Sequence, residues 1–516
     1  MSSKLSRRGF LKLAPILPLA ANRLAATKSR PNGAKGDPNT PNVLILVFDA
    51  LSALDISLYG FHRETMPNLA RFAEHATVYH NHYAAGNYTT PGTASILTGT
   101  YPWTHRAFSH HATVLDSFIL RNVFSEFGQK EYTRIGFSHN LMVNILLHHL
   151  GEHLDEFVLP NEIALVDFNF SDDLFKKDFI ISSQGERRFL KKPGEASNSL
   201  FLSSLLWSIK TLVTRLHKSR LQRVFPRGIP GYHDMLYPLE DTIDWIIEQL
   251  HAWPQPFLSY LHLMPPHDPY SPRQDFVNIF WDGWEPVSKP DHFFSEDDNP
   301  QYLLNERRVY YNEYIAYADA EFGRLHDHLE ANGLFDNTIV VFTSDHGEIF
   351  ERRIWKHTTP TLYQPLIRVP LLLSLPGQTS RHDVHSSTSC VDILPTLLHL
   401  TGQRVPDWCE GQVLPPYGEL PPDSERSLFV VEAKSNPKMQ PLRKATVALI
   451  KGGYKLVHYF GYNGFDGIFE LYNLKNDPEE LQDLYETQPS IVSELTSELL
   501  AKIEEKNTPF MRTGDG

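Results

Sequence analysis

The chain has little cysteine, no excess of positive charge and no long apolar run, and each shortage excludes a class of protein. Only Cys390 and Cys409 are cysteines among its 516 residues, which excludes a disulfide scaffold or a cysteine-rich zinc site but allows one disulfide. The formal net charge is -13, so we expect no nucleic-acid partner, because phosphate backbones bind basic surfaces. No apolar run is long enough to predict a membrane span.

The first residues have the form of an export signal. Ser6 to Lys12 reads SRRGFLK, the twin-arginine pattern, and a short apolar run from Leu13 to Ala21 follows. That run is too short for a transmembrane helix. We therefore predict a twin-arginine signal peptide over residues 1–26, read by the twin-arginine translocation machinery. The mature protein is then periplasmic or otherwise extracytoplasmic, and it is exported already folded.

After a polar linker rich in Pro and Gly (residues 27–41), strand and helix patterns alternate. Residues 42–48 (NVLILVF) form a continuous apolar run that ends at Asp49, and residues 338–342 (TIVVF) form another that leads into TSDHG. Strands that are apolar on both faces belong in the middle of a sheet covered by helices. The sequence predicts an α/β catalytic domain over residues 42–424, with a mostly parallel sheet flanked by helices and ligands bound beyond the carboxyl ends of its strands.

Two further segments differ from this pattern. From residue 425 to 516, short strand-like runs separated by Gly, Asn and Asp precede a final helical stretch, which predicts a small C-terminal α+β subdomain with an antiparallel sheet. Residues 196–228 begin apolar and end basic. We favour a helical insertion packed over the main domain, with peripheral contact to an anionic membrane surface as the alternative.

Polar residues stand where the two clearest strands end. Asp49, Asp345 and His346 offer oxygen and nitrogen ligands for a divalent metal, although strand-end aspartates often cap a following helix instead. The stretch NYTTPGTASILTG places Thr89 and Thr90 at the start of a helix. A metal lowers the pKa of a bound hydroxyl, and a helix N-terminus favours an anion. The combination suggests a metal-activated threonine that faces an anionic ester.

Several motifs, in order along residues 42–505, resemble the sulfatases of the alkaline phosphatase superfamily. They are NVLILVFDA, LYGFHRETMPNLARFA, TTPGTASILTGTYP, LHLMPPHDPYSP, TSDHGE, CVDILPTLLHLTG and ELYNLKNDPEEL. Several motifs in the same order are far more specific than any one of them alone. The resemblance implies an alkaline-phosphatase-like fold and a metal-dependent hydrolase of ester bonds.

The same resemblance implies roles for particular residues. It places Asp49, Asp345 and His346 at metal-ligand positions and Thr89 at the position of the nucleophile, which also contacts the metal. His267, in PPHDPY, matches a position that contacts the ester or its leaving group. Either Lys356 or His357 matches a nearby cationic position. The implied cofactor is one divalent metal ion.

The departures from the family pattern concern the nucleophile and the metal. Sulfatases carry Cys or Ser that is converted to formylglycine, followed by Pro-Ser-Arg, whereas this chain has Thr89, Pro91, Gly92 and Thr93. We therefore expect no formylglycine. Ala50 replaces the second acid of an Asp-Asp pair, and with His346 this moves the expected metal from calcium toward manganese or zinc.

The sequence thus predicts an exported hydrolase that cleaves sulfate or phosphate esters of small molecules, glycans or lipids through Thr89. Phosphate mono- and diesters are favoured on chemical grounds. A formylglycine hydrate expels sulfate with its second hydroxyl, and threonine has none. One alternative is a transferase that passes a phosphoryl-alcohol group to envelope glycans or lipids. Another is an inactive homologue that binds anionic glycans.

Overall fold

The computed structural model describes residues 40–159, 163, 165–166, 219–232, 235–418 and 426–511. The predicted signal peptide, the linker as far as residue 39 and the insertion as far as residue 218 lie outside the described residues, so those predictions stay open. Residues 219–224, at the end of the insertion, are helical. Within the described ranges, no helix combines the length and the hydropathy that crossing a membrane requires.

An eight-stranded sheet forms the centre of the protein, and its strands run in the order β13-β2-β12-β9-β1-β8-β3-β4. Neighbouring strands are parallel except for β12, which is antiparallel to both β9 and β2. The strands are β1 (Asn42–Phe48), β2 (Thr77–Tyr83), β3 (Thr133–Ser138), β4 (Glu156–Val158), β8 (Phe257–Leu263), β9 (Thr338–Thr343), β12 (Leu371–Ser374) and β13 (His382–Ser389). The predicted α/β class and mostly parallel sheet are confirmed.

The strand β1 shows why this sequence forms a central strand. All seven of its residues are buried, and alternate side chains enter different cores. Val43, Ile45 and Val47 belong to one hydrophobic cluster. Leu44, Leu46 and Phe48 belong to a second cluster on the opposite face. Because a strand points successive side chains to opposite faces, a continuous apolar run requires helices on both sides of the sheet.

Helices pack on both faces of the central sheet and against the C-terminal sheet. They are α1 (Pro67–Ala73), α2 (Thr89–Thr98), α3 (Pro102–His105), α4 (Val123–Gly128), α5 (Leu141–His149), α6 (Leu239–Leu250), α7 (Gln301–Ala331), α8 (Gln364–Ile367), α9 (Ile393–Leu400) and α10 (Pro489–Met511). Helix α2 is buried along its whole length. The buried side of α7 packs against the cluster that contains Leu44.

The C-terminal region contains the predicted antiparallel sheet and helix. Its strands, in the spatial order β14-β15-β16-β17, are β14 (Leu428–Glu432), β15 (Ala445–Lys451), β16 (Tyr454–Phe460) and β17 (Ile468–Asn473). Leu449 and Leu456 of this sheet and Leu499 of α10 belong to the same hydrophobic cluster as Val43. The subdomain therefore shares a core with the central sheet.

Short strands complete the described structure, and both cysteines are unpaired. The short strands are β5 (Leu165–Val166), β6 (Gly231–Tyr232), β7 (Met235–Leu236), β10 (Phe350–Glu351) and β11 (Ile354–Trp355). Cys390 is buried, Cys409 is half-buried, and neither forms a disulfide.

Candidate active site

The candidate site lies where three adjacent strands of the central sheet end. Asp49 directly follows β1, and Asp345 comes two residues after β9. His262 lies near the end of β8, where it pairs in register with Val47 of β1. Because β8, β1 and β9 are parallel neighbours, their carboxyl ends bring all three side chains to one edge.

Asp49 is fully buried, and only one of its two carboxylate oxygens accepts hydrogen bonds from described residues. Its Oδ2 accepts hydrogen bonds from Asn140 Nδ2 at 2.7 Å and His262 Nε2 at 3.0 Å. Among the described residues, its Oδ1 has no hydrogen-bond partner. Tyr260 Oη lies 3.1 Å from the other ring nitrogen of His262, which orients that ring toward the carboxylate.

Asp345 repeats this arrangement from the neighbouring strand. Its Oδ1 accepts from the backbone N–H groups of His346 at 3.0 Å and Ala50 at 3.3 Å, while its Oδ2 has no hydrogen-bond partner in the described structure. His346 Nε2 lies 3.7 Å from that oxygen and 3.4 Å from Oδ1 of Asp49. The two unpartnered oxygens thus face one imidazole nitrogen.

The electrostatics of the cluster couple its two buried acids to the surrounding imidazoles. Burial works against the ionised form of Asp49, but His267, His262 and His346 outweigh it and lower the pKa of that carboxyl well below its usual range. Burial and the charge of Asp49 raise the pKa of Asp345. Although burial opposes it, the two carboxylates raise the pKa of His346 to about 9. Two buried acids in contact therefore compete for a cation.

These residues fit a divalent metal. Asp49, His262 and Asp345 each offer a ligand atom, and these atoms lie within 4.8 Å of one another. A buried carboxylate oxygen without a hydrogen-bond partner is costly unless a cation or donor reaches it. Carboxylate and imidazole ligands together suit manganese or zinc.

Thr89, the first residue of α2, points at the same cluster. Its Oγ1 lies 3.3 Å from His346 Nε2 and 3.4 Å from Asn140 Nδ2. The Oγ1 of Thr90 is also buried, yet it makes no hydrogen bond to any described residue. The structure brings Thr89, Asp49, Asp345 and His346 together, as the sequence predicted.

Gly92 allows this close approach of α2 to the metal-ligand loop. A Cβ atom at residue 92 would lie 2.2 Å from the carbonyl oxygen of Asp345, far inside van der Waals contact. The formylglycine signature has serine at this position. Helix α2 is therefore packed against Asp345 in a way that a serine at residue 92 would not permit.

The predicted leaving-group residues form a layer beside the cluster. The ring of His357 lies 4.3 Å from that of His346 and 4.9 Å from that of His267, between centroids. Glu348 Oε1 lies 3.3 Å from His357 Nδ1. Burial raises the pKa of Glu348 to about 7. Burial and the charges of His346 and His267 lower the pKa of His357.

Lys356 takes a different direction from His357. Its Nζ forms an ion pair with Asp268 Oδ1 at 2.9 Å, and about a third of its side chain is exposed. His267 is joined to the same segment, since its Nδ1 lies 2.6 Å from the backbone oxygen of Asp268. Of the two predicted cationic candidates, His357 adjoins the buried cluster and Lys356 is engaged at its edge.

Family models account for most of the chain. The Sulfatase model matches residues 41–144 and 203–403, and the model for the C-terminal part of N-sulphoglucosamine sulphohydrolase matches residues 352–508. The chain belongs to the sulfatase family. It is an ester hydrolase of the alkaline phosphatase superfamily, which confirms the family, fold and enzyme class expected from the motifs.

The relatives of this sulfatase-family chain are themselves named as sulfatases. It is 25% identical to the choline-sulfatase of Rhizobium meliloti, over 88% of this chain and 84% of that protein. It is 22% identical to the N-acetylgalactosamine-6-O-sulfatase of Bacteroides thetaiotaomicron, over 96% of this chain and 99% of that protein. The match with bovine arylsulfatase K, at 28% identity, spans 50% of this chain and only 53% of that relative.

Solved structures share the fold of this sulfatase-family protein at low identity. The phosphonate monoester hydrolase of Agrobacterium radiobacter superimposes with a TM-score of 0.64 at 18% identity, over 90% of this chain and 96% of that one. A second structure, determined with its substrate D-glucosamine-2-N,6-O-disulfate, has a TM-score of 0.62 at 18% identity, over 92% and 100%. These similarities establish the fold.

Sequence reasoning missed His262, Asn140 and Glu348 in this sulfatase-family site. His262 interrupts an otherwise apolar strand, LHLM, which was the available signal. Asn140 follows the end of β3, so the rule that ligands lie beyond strand ends applies to it as well. Glu348 follows the TSDHG motif directly, and only the fold shows that it faces His357.

Proposed function

We propose that this hydrolase cleaves sulfate or phosphate esters by nucleophilic attack of Thr89, with phosphate mono- and diesters preferred. One observation carries the proposal. The Oγ1 atom of Thr89 lies 3.3 Å from His346 Nε2, beside two buried carboxylates that each keep an unpartnered oxygen. A hydroxyl in such a place is positioned for covalent catalysis rather than for packing.

Asp49, Asp345 and His346 would hold one divalent ion, Mn, Zn or Ca, with Thr89 adjoining it and His262 within reach. When bound, the ion would supply charge stabilisation for the transferring group and lower the pKa of the threonine hydroxyl. Because the side chain at residue 50 is only a methyl group, His262 would supply a further ligand in place of a second acid. A site with two carboxylates and two imidazoles favours manganese or zinc over calcium.

The chain's own residues then divide the remaining work. Asn140 donates toward both Asp49 and Thr89, so it holds the nucleophile in register with the carboxylates. As Oγ1 attacks phosphorus or sulfur, the bond to the leaving alcohol breaks, the hydroxyl proton passes to the buried carboxylates of the cluster, and the Thr89 ester forms. The imidazole of His267 donates a proton to the alkoxide oxygen, and His357, which its lowered pKa keeps neutral, donates a hydrogen bond to that oxygen. Water then attacks the phosphorus or sulfur of that ester and restores the hydroxyl.

The residue at position 89 favours phosphorus over sulfur. A sulfated threonine has no second hydroxyl with which to expel sulfate, so water must displace it directly. In-line displacement of a phosphoryl group at a metal is an established kind of step. We therefore expect the phosphate ester to react faster than a sulfate ester that carries the same leaving group.

The test compares aryl sulfate, phosphate monoester and phosphodiester substrates with a common leaving group, each with Mn, Zn or Ca added to stripped protein. Turnover of a phosphate ester that depends on an added metal is the expected result. Mass spectrometry of acid-quenched enzyme should find a modified peptide that contains Thr89. A trapped adduct on another residue, or full activity without metal, would contradict the proposal.

We also propose an extracytoplasmic location and an anionic glycan or small-molecule ester as the substrate. The support is the SRRGFLK signal and the sugar-sulfate names of the two Bacteroides thetaiotaomicron relatives. Replacement of Arg7 and Arg8 by lysine should strand the protein in the cytoplasm, because the twin-arginine route reads that pair. Fractionation that finds the double variant exported normally would contradict the location.

A further inference from the structure

The C-terminal sheet reaches the nucleophile segment through a backbone hydrogen bond. The amide of Val431, in β14, donates to the carbonyl of Ala85 at 2.8 Å, four residues before Thr89. The chain leaves β14 at Glu432 and turns past Lys434 two residues later. The C-terminal subdomain therefore places Lys434 beside the segment that carries the nucleophile.

The ammonium group of Lys434 lies between the segment that carries Thr89 and the segment that carries His357. Its Nζ donates to the carbonyl oxygen of Thr358 at 2.9 Å and lies 5.3 Å from the centroid of the Tyr88 ring. Thr358 follows His357 in the chain, and Tyr88 precedes Thr89. Lys434 is half-buried, so water and a ligand can reach it.

Lys434 differs from Lys356 in what neutralises it. Lys356 pairs with Asp268, whereas within the described ranges no carboxylate lies within ion-pair distance of Lys434 Nζ. Glu432 supplies negative charge to Lys434 from beyond ion-pair distance, and its carboxylate accepts from Tyr462 Oη at 2.7 Å and from the backbone N–H of Lys434 at 3.1 Å. Burial lowers the pKa of Lys434 and outweighs the charge of Glu432, which raises it, so the ammonium group is incompletely compensated.

The imidazole of His110 lies on the same side of the nucleophile segment as Lys434. The ring of His110 lies 5.3 Å from that of Tyr88. Burial first, and then the charge of Lys434, lowers the pKa of His110. In a chain of net charge -13, a half-buried ammonium group beside the Thr89 segment that forms no ion pair with the described residues indicates recognition of an anion.

We propose that Lys434 binds a second anionic group of the substrate, so that the enzyme prefers esters carrying a further sulfate, phosphate or carboxylate over singly charged esters. This inference rests on the proposed function, since it assigns a substrate class to the same site. Lys434 determines specificity and takes no part in bond breaking. The alternative is a purely structural lysine that ties residue 358 to the C-terminal subdomain.

The experiment separates charge from hydrogen bonding at residue 434. Lys434→Gln keeps an N–H donor for the Thr358 carbonyl but removes the charge, and Lys434→Arg keeps the charge. Lys438→Gln is the matched control, because Lys438 bonds only to Thr113 and Val114 among the described residues. The probes are glucosamine 6-sulfate and glucosamine 2-N,6-O-disulfate, which differ by one sulfate. Calorimetry measures their binding to proteins that also carry Thr89→Ala.

We expect the disulfate to bind more tightly than the monosulfate, and Lys434→Gln to reduce that preference by about tenfold, as for a lost partly buried charged contact. Lys434→Arg and Lys438→Gln should retain it, and added salt should weaken it. Equal binding of both probes, or a preference unchanged in Lys434→Gln, would overturn the inference. Because binding is measured without turnover, its failure is distinct from failure of the nucleophile proposal, which is read from the Thr89 adduct.

Discussion

The buried centre of the site and its edge differ in whether their charged groups have partners. At the centre, Asp49 and Asp345 are fully buried and each keeps an oxygen without a hydrogen-bond partner among the described residues. At the edge, Lys356 pairs with Asp268, and in the buried layer between edge and centre His357 contacts Glu348. A buried charge without a partner destabilises the fold unless a ligand compensates it. The comparison assigns ligand binding to the centre and positioning to the edge.

Removal of one central carboxylate should give the largest effect. Asp345→Asn should lose the bound metal and reduce kcat/KM by about a thousandfold or more. Elemental analysis and the melting temperature with and without added Mn or Zn check this. The metal should stabilise the wild type and leave the variant unchanged, because a ligand stabilises only the state that binds it. Retention of a full equivalent of metal would contradict the assignment.

The paired threonines give the next largest difference. Thr89→Ala should lower turnover by about a thousandfold, because it removes the hydroxyl that lies beside His346 Nε2. Thr90→Ala serves as the matched control and should cost less than about tenfold. Thr89→Ser should retain part of the activity, since the hydroxyl survives. Comparable losses at both positions in steady-state kinetics would show that the helix register had been misread.

The contact at Gly92 tests how tightly the nucleophile helix is held against the centre. Gly92→Ser should destabilise the protein by about 2–4 kcal/mol, because its Cβ would clash with the Asp345 carbonyl. Gly151→Ser is a suitable control, since no described atom lies within 4 Å of a Cβ built there. Denaturant midpoints measure both. A wild-type midpoint for Gly92→Ser would mean that the helix yields easily.

Substitutions of Lys356 and His357, outside the buried centre, should have the smallest effects, and the two side chains should differ. His357→Gln should reduce kcat by about a hundredfold, because this imidazole adjoins the buried cluster. Lys356→Met should change it by less than about fivefold, since the lysine is already engaged with Asp268 at a partly exposed position. Substrates with poorer leaving groups should enlarge the His357 effect. A larger loss in Lys356→Met would reverse the assignment.

The sequence predicted the parts of this protein that follow from local pattern. The continuous apolar run of β1 predicted a central strand, and the motif at Thr89 predicted a buried helix start. Such patterns identify the strand ends, and parallel strands bring their ends to one edge. The placement of Asp49 and Asp345 was therefore within reach of sequence reasoning.

Other contacts depend on pairings between distant segments that no local pattern encodes. Lys356 and His357 are adjacent in sequence, yet only the turn near Ile354 and the position of Asp268 decide which one adjoins the centre. His262 lies on a strand that pairs with β1 across more than 200 residues of intervening chain. The clash that a Cβ at Gly92 would cause arises from the packing of α2 against another segment.

The hydrogen bond from Val431 to Ala85 has a consequence for how the protein unfolds. The bond joins β14 to the nucleophile segment, and the hydrophobic side chains of both regions lie in one cluster. Elements that share a core melt cooperatively. Calorimetry should accordingly find a single heat-absorption peak for the sheet and the C-terminal subdomain, and amide exchange at Val431 should slow to the rate of global unfolding.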